Sequence, residues 1–229
     1  MARTVKEYDE RYTEFLDVGQ RLFYQKGYAQ TSVQDIIGEI VMAKGLFYYY
    51  FSSKPDLLDA VIERMTTQIL ASLQPMIDDP ACDAPTKMDQ FFQRTQSWKL
   101  ANREFLIDIM GVIYSDDNVL LRTKILEATM PIVVPQLARI IRQGMDEGVY
   151  DVAYPEESAE IVMELGQGLA LPIANLLLKG PPEGVDLEEA LQALERRVLA
   201  YERSIERVLG AADGSFCIVP PALLRAWFV

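Results

Sequence analysis

GYAQTSVQDIIGEIVMAKGLFYYYFSSK, residues 27–54, is the stretch on which the fold turns. Thr31 and Ser32 are favoured helix caps, and Asp35 lies three residues after Ser32, close to a capping box. Val33, Ile36, Ile37 and Ile40 follow at i, i+3, i+4 and i+7, one apolar stripe on a helix of about two turns. A break of about three residues leads to a second short helix, Ala43 to Phe51. Its Phe47, Tyr50 and Phe51 face inward, which leaves Lys44, Tyr48 and Tyr49 outside. Two short helices around a tight turn, the second carrying a cation and aromatic hydroxyls, suit the DNA major groove.

Working outward, Tyr8 to Lys26 reads as a helix with Phe15, Gly19, Leu22 and Phe23 as its stripe and Gly27 as its stop. It braces the two-helix reader from behind. On the other side Ser53 caps and Pro55 opens a helix from Lys54 to about Leu73, ending near Pro75. Residues 78–85, DDPACDAP, form a turn-rich linker. Helices are expected over 86–100, 103–114 and from about 118 to 147, the last kinked or broken at Pro131 and Pro135. Another spans 155–178 with a kink at Pro172, and Asp186 caps a final one to about Leu209. No stretch reads as a strand. The expectation is an all-α chain of about nine helices. A three-helix head occupies residues 1–54, with its motif at about 32–51. A larger domain covers 55–209, and residues 210–229 form an apolar tail. A terminus ending Trp227-Phe228-Val229 is expected to dock rather than fray.

The 229 residues carry a net charge of −12, at first sight unsuited to phosphate. Residues 1–54 hold seven basic and seven acidic side chains, so the excess acid lies wholly beyond the head. Glu7, Asp9, Glu10 and Glu14 are expected to point away from a duplex. The two cysteines, Cys82 and Cys217, make no disulfide framework, and the N-terminus lacks an apolar signal core; both fit the cytoplasm. The longest apolar run, 161–178, is interrupted by Glu164, Gln167 and Asn175, so no membrane span is expected. There is no histidine, which removes the commonest general base and metal ligand together. With no Gly-rich phosphate loop and no metal-ligand cluster, neither an enzyme nor a cofactor or metal site is expected.

The run KGLFYYYFSSKPDLL, residues 44–58, closely resembles the signature of the TetR (tetracycline-repressor-like) family. The resemblance implies a one-component transcriptional regulator binding double-stranded operator DNA. Its reading residues are then Thr31, Ser32, Ala43, Lys44, Gly45, Leu46, Tyr48, Tyr49 and Lys54. The chemistry agrees: Lys44 reaches a base edge or phosphate, Gly45 permits close approach, and Leu46 meets a thymine methyl. Tyr48, Tyr49 and Lys54 suit phosphates, as do hydroxyls at a helix N-terminus. The chain departs from the family where Ile40-Val41-Met42-Ala43 replaces the common Ala-Gly-Val-Ser. Val41 is ill suited to a left-handed turn, and Ala43 removes a hydroxyl cap worth about 1 kcal/mol.

The same resemblance implies a small-molecule effector among the central helices, with Phe91, Phe92, Trp98, Phe105, Met110, Tyr114 and Met130 as candidate lining. Helical spacing alone reads these residues as core. Asp108 and Glu164 interrupt apolar runs and could face a cationic effector, but solvated helix faces account better for both. Family members form a homodimer through the last two long helices, here about 155–178 and 186–209; the two-fold symmetry of operators argues the same way. The leading expectation is a homodimeric repressor released by a small, largely apolar ligand. The alternative is an effector-binding or protein-interaction module whose head has lost operator affinity.

Overall fold

Helix is the only regular secondary structure among the residues that the computed structural model describes. These are 2–40, 44–115 and 119–228, without the side chains of 2–7, 44 and 120. The helices are α1 (Ala2–Lys26), α2 (Val33–Ile40), α3 (Lys44–Tyr50), α4 (Lys54–Asp78), α5 (Ala84–Ala101), α6 (Arg103–Ile113), α7 (Val119–Asp146), α8 (Pro155–Lys179), α9 (Leu187–Leu209) and α10 (Pro221–Arg225), with a closing 3-10 turn at Ala226–Phe228. The all-α expectation holds. Several starts are explained by local chemistry. Asp83 accepts the Thr86 N–H at 2.9 Å with Pro85 in the first turn, so α5 begins at Ala84 rather than Thr86. Asp186 caps α9 through the Glu189 N–H at 2.8 Å, and Gly210 ends it in the left-handed region at φ +61.

Three prolines inside α4 and α7 do not end those helices. α4 continues past Pro75 to Asp78, and α7 runs through Pro131 and Pro135. The physical reason is which face they occupy. Pro75, Pro131 and Pro135 all lie on exposed faces, where water reaches the carbonyls that lost their donors. The opposite face is well buried: Met76 and Ile77 beyond the first proline, and Val133, Val134, Leu137, Ile140 and Ile141 around the other two. That burial offsets a proline cost of about 3 kcal/mol.

The chain gathers into two compact units. One compact unit comprises residues 1–66 with 104–128, and the other 67–103 with 129–229. The first therefore takes α1 to α3, the start of α4, most of α6 and the start of α7. Its buried side chains include Phe15, Leu22, Phe23, Ile36, Ile37, Phe47, Leu57, Leu58, Phe105 and Ile109. α1 and α4 meet closely: a Cβ on Gly19 would come within 2.8 Å of the Leu57 side chain.

The second unit has its own core, drawn from the rest of α4 and α7 and from α5, α8, α9 and the tail. The tail is not a separate segment, since Phe216, Ile218, Val219, Leu224 and Trp227 are all buried there. Carboxylates from α5 and α9 hold its backbone. Glu206 accepts the Gly214 and Ser215 N–H groups, Asp89 that of Cys217, and Glu202 that of Ile218, at 2.7–3.0 Å. Arg225 closes the arrangement on Glu188 and Glu195, and the Arg103 Nε–H donates to the Trp227 carbonyl at 2.9 Å. The docking expected of the tail occurs on its own chain.

Candidate nucleic-acid interface

The reader starts at a capping box. Asp35 N–H donates to Ser32 Oγ at 3.1 Å, while Ser32 N–H and Oγ–H both donate to Asp35 Oδ2 at 2.8 and 2.7 Å. Those hydrogen bonds, reinforced by Lys26 at 3.3 Å, hold the Asp35 carboxyl down at about 2. α2 then buries Ile36, Ile37 and Ile40. α3 buries Phe47, followed by Phe51, and turns the opposite face outward; Tyr48 is 50% exposed and Tyr49 69%. Phe15 of α1 meets Phe47 edge-on at 5.8 Å and Phe51 at 6.0 Å, so the short recognition helix rests on an aromatic platform. Gly45 is exposed, and a Cβ there would meet nothing within 4 Å. α3 begins at Lys44, whose side chain lies outside the described residues, as do Ala43 and the turn with Val41 and Met42.

The nine candidate reading residues thus divide by place. Gly45, Leu46, Tyr48 and Tyr49 share α3 away from the Phe47 side. Thr31, Ser32 and Lys54 are instead engaged within the head. Thr31 is fully buried and its hydroxyl bonds the carbonyls of Leu22 and Gly27. Lys54 Nζ donates to the Tyr28 and Thr31 carbonyls, both at 2.9 Å, and lies 4.2 Å from the Tyr28 ring centre. Burial lowers the Lys54 pKa, opposed by the nearby Asp108 carboxylate, and the same burial pushes Tyr28 up to about 12. The Lys54 ammonium, which the sequence suits to a phosphate, here gives two of its three protons to backbone carbonyls of the α1–α2 turn.

A second difference concerns charge. Glu10 and Glu14 line an open groove with Arg11, Leu46 and Tyr49, so they do not point away from α3. Arg11 pairs with Glu14 at 2.6 Å. The reading face is therefore mixed in charge and rich in tyrosine.

Asp108 has a partner that its sequence context did not reveal. Read from the sequence as a solvated residue, it accepts the Tyr28 N–H at 2.6 Å from its place on α6. Only the interruption of an apolar run hinted at it. The seven candidate effector residues are shared between the two units. Phe91, Phe92, Trp98 and Met130 belong to the core of the second unit, where Phe92 stacks on Phe216 of the tail at 6.3 Å. Phe105, Met110 and Tyr114 fall in the first unit. There Phe105 stacks on Tyr24 at 4.0 Å and 7°, and Arg122 lies 5.7 Å from the Tyr114 ring.

Comparison with known proteins bears on the same two regions. Residues 15–61 match the model for bacterial regulatory proteins of the tetR family, and residues 107–179 that for the tetracyclin repressor-like C-terminal domain. An uncharacterised HTH-type transcriptional regulator from the lacX 3' region of Lactococcus lactis subsp. lactis is 46% identical over 50 residues. That match spans 22% of this chain and only 26% of the Lactococcus protein. The HTH-type regulator YfiR of Bacillus subtilis (strain 168) is 22% identical over 173 residues, 73% of this chain and 82% of its own. Among solved structures, a TetR-family regulator from Pectobacterium atrosepticum is 23% identical with a TM-score of 0.60, covering 89% of this chain and 96% of that one. Thermus thermophilus FadR, a TetR-family repressor in complex with lauroyl-CoA, is 20% identical with a TM-score of 0.58, over 81% and 91%. At these identities the structural likeness is one of fold.

Proposed function

The chain belongs to the TetR family of transcriptional regulators, and from that premise we propose a homodimeric repressor that reads operator DNA through α2 and α3 and releases it on binding a small, largely apolar effector. Regulators of DNA rather than enzymes make up the family. The observation that carries the DNA reading is α3 itself, a short helix backed by Phe15, Phe47 and Phe51 with tyrosines on its outer side. We assign Lys44 and Leu46 to base edges, Gly45 to close backbone approach, and Tyr48 and Tyr49 to phosphates. Ala43 is kept among the proposed DNA contacts. Thr31, Ser32 and Lys54 enter the proposal as braces that hold the reader in shape.

Dimerisation rests on α8. Its most apolar 18-residue window has a mean hydropathy of 1.6 yet is only 22% buried. By length and composition alone α8 could cross a bilayer, and the same surface suits a partner subunit. Ile161, Leu171 and Leu178 are exposed along it, and Gly166 has open space around its missing side chain. Gly168 is engaged within the chain, 2.8 Å from the Tyr201 hydroxyl by its Cβ position. A second α8–α9 pair would cover this face, and such a dimer carries two readers. A regulator of this kind works where the chromosome is, in the cytoplasm.

The effector is assigned to the apolar interior of the C-terminal domain, near Phe91, Phe92, Trp98 and Met130. The charge-neutral head favours a second reading, a ligand-binding module without operator affinity. Footprinting on the DNA flanking the protein's own gene decides between them. Two protected half-sites about 34–36 Å apart, or a multiple, are expected. Lauroyl-CoA, the ligand of the Thermus protein, is the first effector to try. Absence of any protection in favour of ligand-induced thermal stabilisation alone would establish the second reading.

A further inference from the structure

We propose that Asp108 is a positioning residue for DNA reading: from α6 it holds the α1–α2 turn on which both reading helices rest. The inference builds on the DNA-reading proposal and adds a residue from outside the helix-turn-helix. Three independent anchors converge on residues 27–31. Thr31 ties the turn to α1 through Leu22 O at 3.2 Å and closes it on itself through Gly27 O at 2.8 Å. Lys54, at the start of α4, ties it through Tyr28 O and Thr31 O. Asp108 supplies the third, accepting the Tyr28 N–H at 2.6 Å, the short distance of a charge-assisted bond.

The turn is shaped for that carboxylate. Gly27 adopts φ +81, a left-handed conformation that frees the next N–H to point out of the helix end. A Cβ at Gly27 would stand 3.2 Å from Asp108 Oδ1, so the carboxylate occupies the space that glycine leaves. Tyr28 is buried, and Asp108 Oδ2 is the acceptor that its N–H finds there. The negative charge also faces the Lys54 ammonium, which burial would otherwise make easier to deprotonate. One turn earlier on α6, Phe105 stacks on Tyr24 and aligns the helix with the end of α1. Asp108 itself has no place on α3 and is not a DNA contact. Its effect on DNA must pass through the position of α2, whose first residue lies five positions beyond Tyr28.

The test uses the full-length protein and three forms: wild type, Asp108→Ala and Asp108→Asn. Hydrogen exchange at the Tyr28 amide reads the bond directly, and a gel shift on the gene-flanking duplex reads its consequence. Asp108→Ala should accelerate Tyr28 exchange by about ten- to a hundredfold, the range for losing a bond to a charged group. Duplex affinity should fall about tenfold with the salt slope unchanged, because no phosphate contact is lost. Asp108→Asn keeps an acceptor oxygen and should recover part of both losses. Should the alanine form unfold, as judged by circular dichroism, the asparagine form decides. Unchanged Tyr28 exchange in a folded variant overturns the bond. Faster exchange with undiminished duplex affinity overturns the positioning role. A wild type that does not bind the duplex defeats the DNA reading instead, a failure the exchange measurement keeps separate.

Discussion

Gly45 and Asp35 show how much a single residue decides in the reader. Nothing lies within 4 Å of a Cβ at Gly45, and its conformation is helical. Gly45→Ala should therefore stabilise the unbound protein by about 0.5–1 kcal/mol. If α3 enters the groove as proposed, the added methyl must weaken DNA binding while the melting temperature rises. Equal affinity of the two forms would remove Gly45 from the interface. Asp35 makes a pH prediction. Its folded value, about 2, lies below the 3.8 of an unpaired aspartate. The cap therefore contributes fully above about pH 4, and the contribution disappears as pH falls through about 2. Hydrogen exchange at residues 33–36 should rise across that window, and Asp35→Asn should abolish the pH dependence. The capping box was legible from Ser32 and Asp35 because its geometry is local. Lys54 and Asp108 were not, because their partners, the Tyr28 and Thr31 backbone, are 26, 23 and 80 residues away in sequence.

At the level of elements, periodicity located α2, α3, α8 and α9 well and misjudged where prolines act. A proline removes one bond wherever it stands, but sequence does not say whether the freed carbonyl meets water. In α4 and α7 it does, and the helices persist. The tail was legible as a docking segment from its apolar residues, whereas the carboxylates that grip its backbone were not. Glu202 and Glu206 look like ordinary surface residues of an amphipathic helix, yet both are buried. Burial, with Glu202 beside it, pushes the Cys217 thiol up to about 12. In a Cys82→Ser background, alkylation of Cys217 at pH 8 should be at least about tenfold slower than that of an unfolded cysteine peptide. Reaction at the peptide's rate would mean the tail is undocked in solution. Gly144 is the matching stability prediction. A Cβ there would lie 2.1 Å from the Tyr150 ring, so Gly144→Ala should cost about 1–3 kcal/mol in denaturant unfolding. A neutral result would mean that Tyr150 swings away without loss.

At the scale of the molecule, the family and the helical architecture were legible because residues 44–58 concentrate cap, glycine, aromatic and lysine signals at fixed spacing. That most of α6 and the start of α7 pack with the N-terminal helices was not, since those contacts are long-range in sequence. The exposed face of α8 predicts that Leu171→Glu yields a folded monomer by light scattering and that this monomer loses most of its DNA affinity. A dimer that survives the substitution would place the subunit contact elsewhere. The central claim, that this chain reads a specific operator as a dimer, is tested most directly by fluorescence anisotropy on a labelled duplex from the flank of its own gene. Saturation at two chains per site is expected, with affinity about 10³-fold or more above that for an unrelated duplex and a steep decline with salt. Equal affinity for the two duplexes at every salt concentration would contradict it.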